Sequence, residues 1–229
     1  MLFCRKIGAK TIKQDSLLAF YMLFETSSSG DDDFRTLIEA VDSGWWYTSQ
    51  LSNNTRVVVY HTDDTEPSAK EARRRTGFLN LMRAATIHIS QVVEECEYFP
   101  INDCSFPRCT AACSSVLEPF LSTSDHWIAV GDAAVAFDPL SSQGMITALR
   151  MGSSVGKTLG LDTMDLAGNL RATSSDAIVE SLQRIKDDYN KQKVYFYGTS
   201  RFDGSFWEAR RHWAQLSPET WFKMTKLWK

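Results

Sequence analysis

The spacing of hydrophobic positions changes several times along the chain, and each change predicts a different element. Leu17 to Phe24 is an unbroken apolar run closed by the Ser/Gly/Asp-rich stretch Ser27 to Asp33, the pattern of a buried strand followed by a solvated turn. Trp45 to Leu51 and Arg56 to Thr62 are rich in aromatic and β-branched residues, and Ser52-Asn53-Asn54-Thr55 between them predicts a β-hairpin. From Ser68 to about Gln91, charged residues interleave with Phe78, Leu79, Met82 and Ile87 at near-helical spacing, which predicts one or two amphipathic helices ended by Tyr98-Phe99-Pro100. The stretch up to Pro119 mixes Pro, Cys and Ser and is expected to be irregular. Trp127-Ile128-Ala129-Val130 reads as a strand running into Gly131-Asp132, and Ser142 to Leu159 as a helix. Ile178, Val179, Leu182 and Ile185 mark another helix continuing past Tyr189, and the tail is aromatic, with Phe202, Phe206, Trp207, Trp213, Trp221, Phe222 and Trp228.

Composition narrows the partners. A chain of 229 residues with 43% hydrophobic residues can bury a sizeable core. A net charge of -3, with basic clusters no longer than Arg73-Arg74-Arg75, supplies no excess to neutralise phosphates, so nucleic acid is not an expected partner. No apolar run approaches the roughly 20 residues that span a bilayer, and Met1 to Lys6 lacks the apolar core of a signal peptide; a membrane partner is not expected and a cytoplasmic location is. Five cysteines, an odd number, point to reduced thiols. Cys104, Cys109 and Cys113 are spaced irregularly for zinc, and no histidine is placed as a fourth ligand, so no metal site is expected. The run Asp31-Asp32-Asp33 reads as a solvated loop.

The segment that carries chemistry is Trp127 to Leu149: an apolar strand that stops at Gly131-Asp132, a loop through Asp138-Pro139, and a helix entered at Ser142-Gln143-Gly144-Met145. A carboxylate at a strand end can accept a hydrogen bond from a sugar-like hydroxyl, free N–H groups at a helix start attract an anion, and glycine lets a ligand approach the backbone. This segment resembles the GD…DP…G segment of class A flavoprotein monooxygenases and the related flavin-dependent halogenases. The resemblance implies FAD as cofactor, with Gly131 and Asp132 at the ribityl chain and Pro139, Ser142, Gln143, Gly144 and Met145 facing the flavin ring and pyrophosphate. Upstream, Gly44-Trp45-Trp46-Tyr47-Thr48-Ser49-Gln50-Leu51 is similar to the Gly-Trp-x-Trp-x-Ile-Pro-Leu strand of flavin halogenases, which makes Trp45, Trp46 and Tyr47 candidate substrate-wall residues. Tyr47 and Ser49-Gln50 depart from that pattern, and the pattern is closer to halogenase-like monooxygenases, including those acting on peptides. The tail from Tyr197 through Arg201, Arg210 and Arg211 looks like the C-terminal helical part of the group, its arginines solvated or ion-paired.

The G-x-G-x-x-G loop with which these flavoproteins hold the ADP part of FAD is absent from the sequence, so FAD binding by this chain alone is expected to be weak or absent. A second chain completing the site is a partner the resemblance implies, together with a small aromatic or peptide substrate. Two further patterns fall away on context. Gly152-Ser153-Ser154-Val155-Gly156 fits a hydrolase elbow, and Gly152 to Thr158 nearly fits a phosphate loop, but both lie inside the predicted helix instead of after a strand. The expected architecture is mixed α/β: a substrate-domain sheet with helices over 10–100, the C-terminal part of an FAD-binding fold over 101–165, and a helical region over 166–229. The expected function is that of an FAD-dependent oxidoreductase of the monooxygenase or halogenase-like type, incomplete as a single chain. The alternatives are a non-catalytic, partner-binding remnant and a flavin-dependent halogenase. No residue stands out as the catalytic acid or base.

Overall fold

The computed structural model describes residues 8–27, 31–101, 106–160 and 172–215. Cys4, Cys104, Trp221, Phe222 and Trp228 lie outside them. The chain divides into two compact units, one of residues 16–112 and 200–213, the other of 1–15, 113–199 and 214–229.

The first unit is built on an antiparallel sheet. The run from Leu17 forms β2 (Leu17–Glu25), after a short β1 (Lys10–Lys13) that belongs to the other unit. β3 (Leu37–Val41), β4 (Gly44–Gln50) and β5 (Thr55–Asp63) follow, in sheet order β3-β4-β5-β2. β4 and β5 form the expected hairpin, with Trp45 opposite His61 and Trp46 opposite Tyr60. Asn53 and Asn54 at its turn take φ of 60° and 52°, the left-handed region that asparagine tolerates better than most residues. Because side chains alternate across a strand, Phe20, Met22, Phe24, Trp46, Val58 and Tyr60 share one face and bury it. That face is covered by α1 (Pro67–Ala72), α2 (Arg75–Ala85) and α3 (His88–Glu95), which contribute Ala69, Ala72, Phe78, Met82, Ile89 and Val93.

The stretch expected to be irregular contains two strands after β6 (Phe99–Pro100). β7 (Arg108–Ala111) pairs with β2, and β8 (Ser115–Glu118) with β1. Every residue of β7 is exposed, so it is held by backbone bonding at a sheet edge and leaves no hydrophobic pattern to read.

The second unit joins β1, β8 and β11 (Val135–Ala136) in one sheet and β9 (Leu121–Ser122) with β10 (Trp127–Ile128) in another. The strand expected from Trp127 to Val130 is only these two residues of β10. Two long helices follow, α4 (Gly144–Gly160) and α5 (Ala172–Gly198), and Met151 and Leu182 pack with Val116, Ala134 and Val135 in the core. α6 (Ser205–Gln215) lies at the end of the described chain, and its residues to 213 return to the first unit. Among the described residues, no helix is long and apolar enough to cross a membrane.

Candidate functional site

The loop from Gly131 to Met145 is shaped by Gly131 and one buried aspartate. Gly131 opens a 3-10 turn, Gly131–Ala133, at φ +58°, and a Cβ there would meet the Ala148 Cβ at 2.9 Å. Glycine is therefore required, because the turn sits directly on the second turn of α4. Asp132 follows it and is exposed.

Asp138 anchors the other half of the loop. Its side chain accepts from Leu140 N at 3.0 Å and from the Tyr197 hydroxyl, while its backbone N–H donates to the Tyr189 hydroxyl at 3.2 Å. Tyr189 in turn bonds Ser114 at 2.9 Å and stacks on Phe137, with ring centroids 4.1 Å apart. Burial raises the Asp138 carboxyl above its ordinary range, against the lowering effect of the Lys193 charge and the Tyr197 hydrogen bond. Pro139 begins a second 3-10 turn, Pro139–Ser141, and is exposed. Ser142 closes that turn at φ 53°, an uncommon conformation for a residue with a Cβ.

α4 then starts. Thr147 N donates to Gln143 O at 2.8 Å, the first bond of the helix. The N–H groups of Gly144, Met145 and Ile146 precede that bond and have no acceptor within the helix. A Cβ on Gly144 would meet only the Asp132 Oδ1, at 3.8 Å, an ordinary contact. The chain's own packing does not demand glycine there; its absence of a side chain leaves backbone open beside an exposed carboxylate. Asp132, Gly144 and Met145 are thus brought to one place, with Pro139, Ser142 and Gln143 in the turn that leads there.

The aromatic candidates lie in the other unit. Trp46 is turned into the helix-covered core, stacked on Tyr60 at 4.6 Å and edge-on to Phe78 at 5.0 Å. Trp45 is on the opposite face, stacked on His61 with centroids 3.6 Å apart and planes 8° apart. Both indoles are buried, and Tyr47, on the face of Trp45, is half-buried. The Trp45 Nε1 and His61 Nδ1 have no hydrogen-bond partner among the described residues. A histidine in this stack carried no signal in the sequence, since His61 sits in an ordinary strand pattern. A cavity of about 240 Å³ lined by Phe24, Met82, Arg83, Tyr98 and Phe99 lies on the helix side, and none of the candidate residues lines it.

The hydrolase and phosphate-loop patterns are excluded by placement, because Gly152 to Thr158 lies within α4 with no strand leading into it. The aspartate run is not wholly solvated: Asp31 is buried and accepts from Arg56 Nη2 at 2.6 Å and from the Tyr98 hydroxyl at 2.7 Å. Burial alone would raise the Asp31 carboxyl, but those hydrogen bonds hold it below the usual carboxylate range.

The fold is shared with known structures. CmlS, a flavin-dependent halogenase, matches 99% of this chain with a TM-score of 0.67 at 18% identity, over 40% of its own length. QhpG, a peptidyl tryptophan dihydroxylase essential for tryptophylquinone cofactor biogenesis, matches 86% of this chain with a TM-score of 0.58 at 19% identity, over 43% of its own length. The chain therefore has the fold of part of the flavin-dependent halogenases. In sequence it is similar to LodB of Marinomonas mediterranea, a putative FAD-dependent oxidoreductase, with 26% identity over 216 residues. That match covers 92% of this chain and 53% of LodB, so the chain spans about half the length of the curated relative it matches. No family model matches the sequence.

Proposed function

We propose that this chain forms the substrate sheet and the flavin-positioning loop of an FAD-dependent oxidoreductase of the monooxygenase type, the rest of whose cofactor site lies in sequence that this chain does not contain. The observation that carries the reading is the meeting of the exposed Asp132 carboxylate with the open helix start at Gly144. The likeness to LodB and to the halogenase fold supports it.

FAD, when bound, would supply the redox chemistry with oxygen. The chain's residues would orient it. Asp132 would accept a hydrogen bond from a ribityl hydroxyl, and the Gly144 and Met145 N–H groups would donate to the anionic edge of the ring or to the pyrophosphate. Gly144 would leave the room, and Ser142, fixed by the Pro139 turn, would set the direction of approach. Tyr47, with Trp45 behind it on the same sheet face, would serve as substrate wall. Hydroxylation is favoured over halogenation because Tyr47 and Ser49-Gln50 stand where the halogenase strand has Trp and Ile-Pro. A peptide or small aromatic substrate is the matching class, in keeping with QhpG, which is a peptidyl tryptophan dihydroxylase.

The test is an absorption spectrum of the purified chain after gel filtration with FAD, alone and after co-expression with the part of LodB outside the matched span. Flavin should travel with the protein in at least one of the two preparations. In that preparation Asp132→Ala should weaken flavin binding by roughly tenfold, the loss of one hydrogen bond to a charged acceptor. Unchanged affinity would remove Asp132 from the site.

A further inference from the structure

Helix α5 turns a polar stripe into the interior of the second unit. Tyr189, Lys193 and Tyr197 follow at i, i+4 and i+8, one face of the helix, and all three are buried. Apolar side chains would fill such a face without the desolvation that buried polar groups suffer, so the informative point is what these three hold. The Lys193 cation lies 3.6 Å from the Asp15 carboxylate, which accepts the Ser114 backbone N–H at 3.2 Å. The Ser114 hydroxyl bonds that of Tyr189, and Tyr189 and Tyr197 together grip Asp138, one at its backbone N–H and the other at its carboxyl.

From Asp138 a continuous path of hydrogen bonds runs into α4. The Asp138 carbonyl accepts from Ser141 N at 3.0 Å and from Ser141 Oγ at 2.7 Å. Ser141 Oγ accepts from Gln143 N at 3.3 Å, and Gln143 O accepts from Thr147 N at 2.8 Å. The path ends on the turn that carries the Gly144 and Met145 N–H groups. A buried network whose members are all bonded holds one geometry, and here it joins the middle of α5 to the first turn of α4. We propose that Tyr189 and Tyr197 are positioning residues for the flavin: acting through Asp138 and Ser141, they set where the Gly144 and Met145 N–H groups point. The proposal rests on the flavin reading above. The cluster sets two carboxyls, Asp15 and Asp138, against the Lys193 cation, and burial raises the Asp138 carboxyl. An amide at position 138 would therefore serve the same partners without a charge.

The test pairs hydrogen exchange of the chain without FAD with flavin affinity in the preparation that retains FAD. Tyr197→Phe keeps the ring and removes only the hydroxyl. It should speed exchange over 141–147 by about tenfold, with β4 and β5 exchanging as in the parent. It should also weaken FAD binding by about tenfold and shift the visible band of the bound flavin. Asp138→Ala should weaken binding at least as much, whereas Asp138→Asn, which keeps an acceptor for Leu140 N and a donor for Tyr197, should stay within about threefold of the parent. Leu182→Ala, in the core of the same unit but off the path, should lower the melting temperature and leave FAD affinity unchanged. Unchanged exchange over 141–147 in Tyr197→Phe would overturn the proposal. So would Tyr197→Phe holding FAD as tightly as the parent, an outcome that leaves the flavin reading standing. An equal loss of affinity in Leu182→Ala would reduce the tyrosines to a purely structural role and also overturn it. If no preparation retains FAD, the flavin reading fails and the proposal falls with it, even where the exchange result shows the path intact.

Discussion

His61 lies flat on Trp45 inside the first unit, and burial pushes its pKa down from 6.5 to about 3. The folded chain thus keeps this imidazole neutral where the unfolded chain protonates it. A lowered pKa contributes stability that is present above 6.5 and is lost as pH falls from there towards 3, at about 1.4 kcal/mol per pH unit. His61→Phe preserves a flat ring against Trp45 and removes the titration. Urea unfolding at pH 7 and pH 5 should show the parent chain losing clearly more stability than the variant; equal losses would mean that His61 is accessible to protons when folded. Asp31 acts in the same sense but further down the scale, since its lowered pKa keeps its contribution until pH falls below 3.8. The burial of Asp31 was not legible in the sequence. Three consecutive aspartates read as solvent-facing, and the residues that bury the first of them, Arg56 and Tyr98, stand 25 and 67 positions away. Pair interactions of that range leave no local pattern.

At the scale of elements, the longer strands, the hairpin and α4 were legible because their own residues bury them: Phe20, Met22 and Phe24 on one strand, Thr147, Met151 and Val155 on one helix. What divides the Ser68–Gln91 region into separate helices is not local. α3 has no cap in its own sequence; its first N–H groups are met by Glu39 from the edge strand β3. The Glu39 carboxylate accepts from Ile87 N at 2.6 Å and from His88 N and Ile89 N, each at 3.1 Å. It serves as cap and as a negative charge at the positive end of the helix dipole, and it also ties β3 to the helical layer. Glu39→Gln keeps the length but removes the charge and one acceptor, and should cost about 1 kcal/mol. Hydrogen exchange should show faster exchange in the first turn of α3 than in the hairpin strands β4 and β5. An unaltered exchange pattern would show that the cap does not hold the helix.

At the scale of the molecule, the candidate loop was legible because its residues are contiguous from Gly131 to Met145, and the tyrosines that hold it were not, because they come from α5, 51 and 59 residues beyond Asp138. The discontinuity of the first unit has the same origin. Its closing segment arrives after the whole of α5 and is fastened by side chains whose partners are far back in the chain. Arg210 donates to both oxygens of Asp63, at 2.6 and 2.8 Å, and lies over the Phe206 ring at 3.6 Å. Trp207 Nε1 donates to Val41 O at 2.8 Å, and Gly204 comes so near Asp42 that a Cβ would meet its carbonyl at 2.7 Å. Arg210 and Asp63 are both buried, so removing the cation strands a carboxylate in the interior, a loss of about 3–5 kcal/mol. Arg210→Ala should therefore lower the urea midpoint of the first unit, followed by the fluorescence of Trp45 and Trp46. The Asp63→Asn/Arg210→Met pair should recover part of the loss, because it leaves no buried charge behind. If Arg210→Ala leaves that midpoint in place, the returning segment is an attachment to a sheet that stands without it.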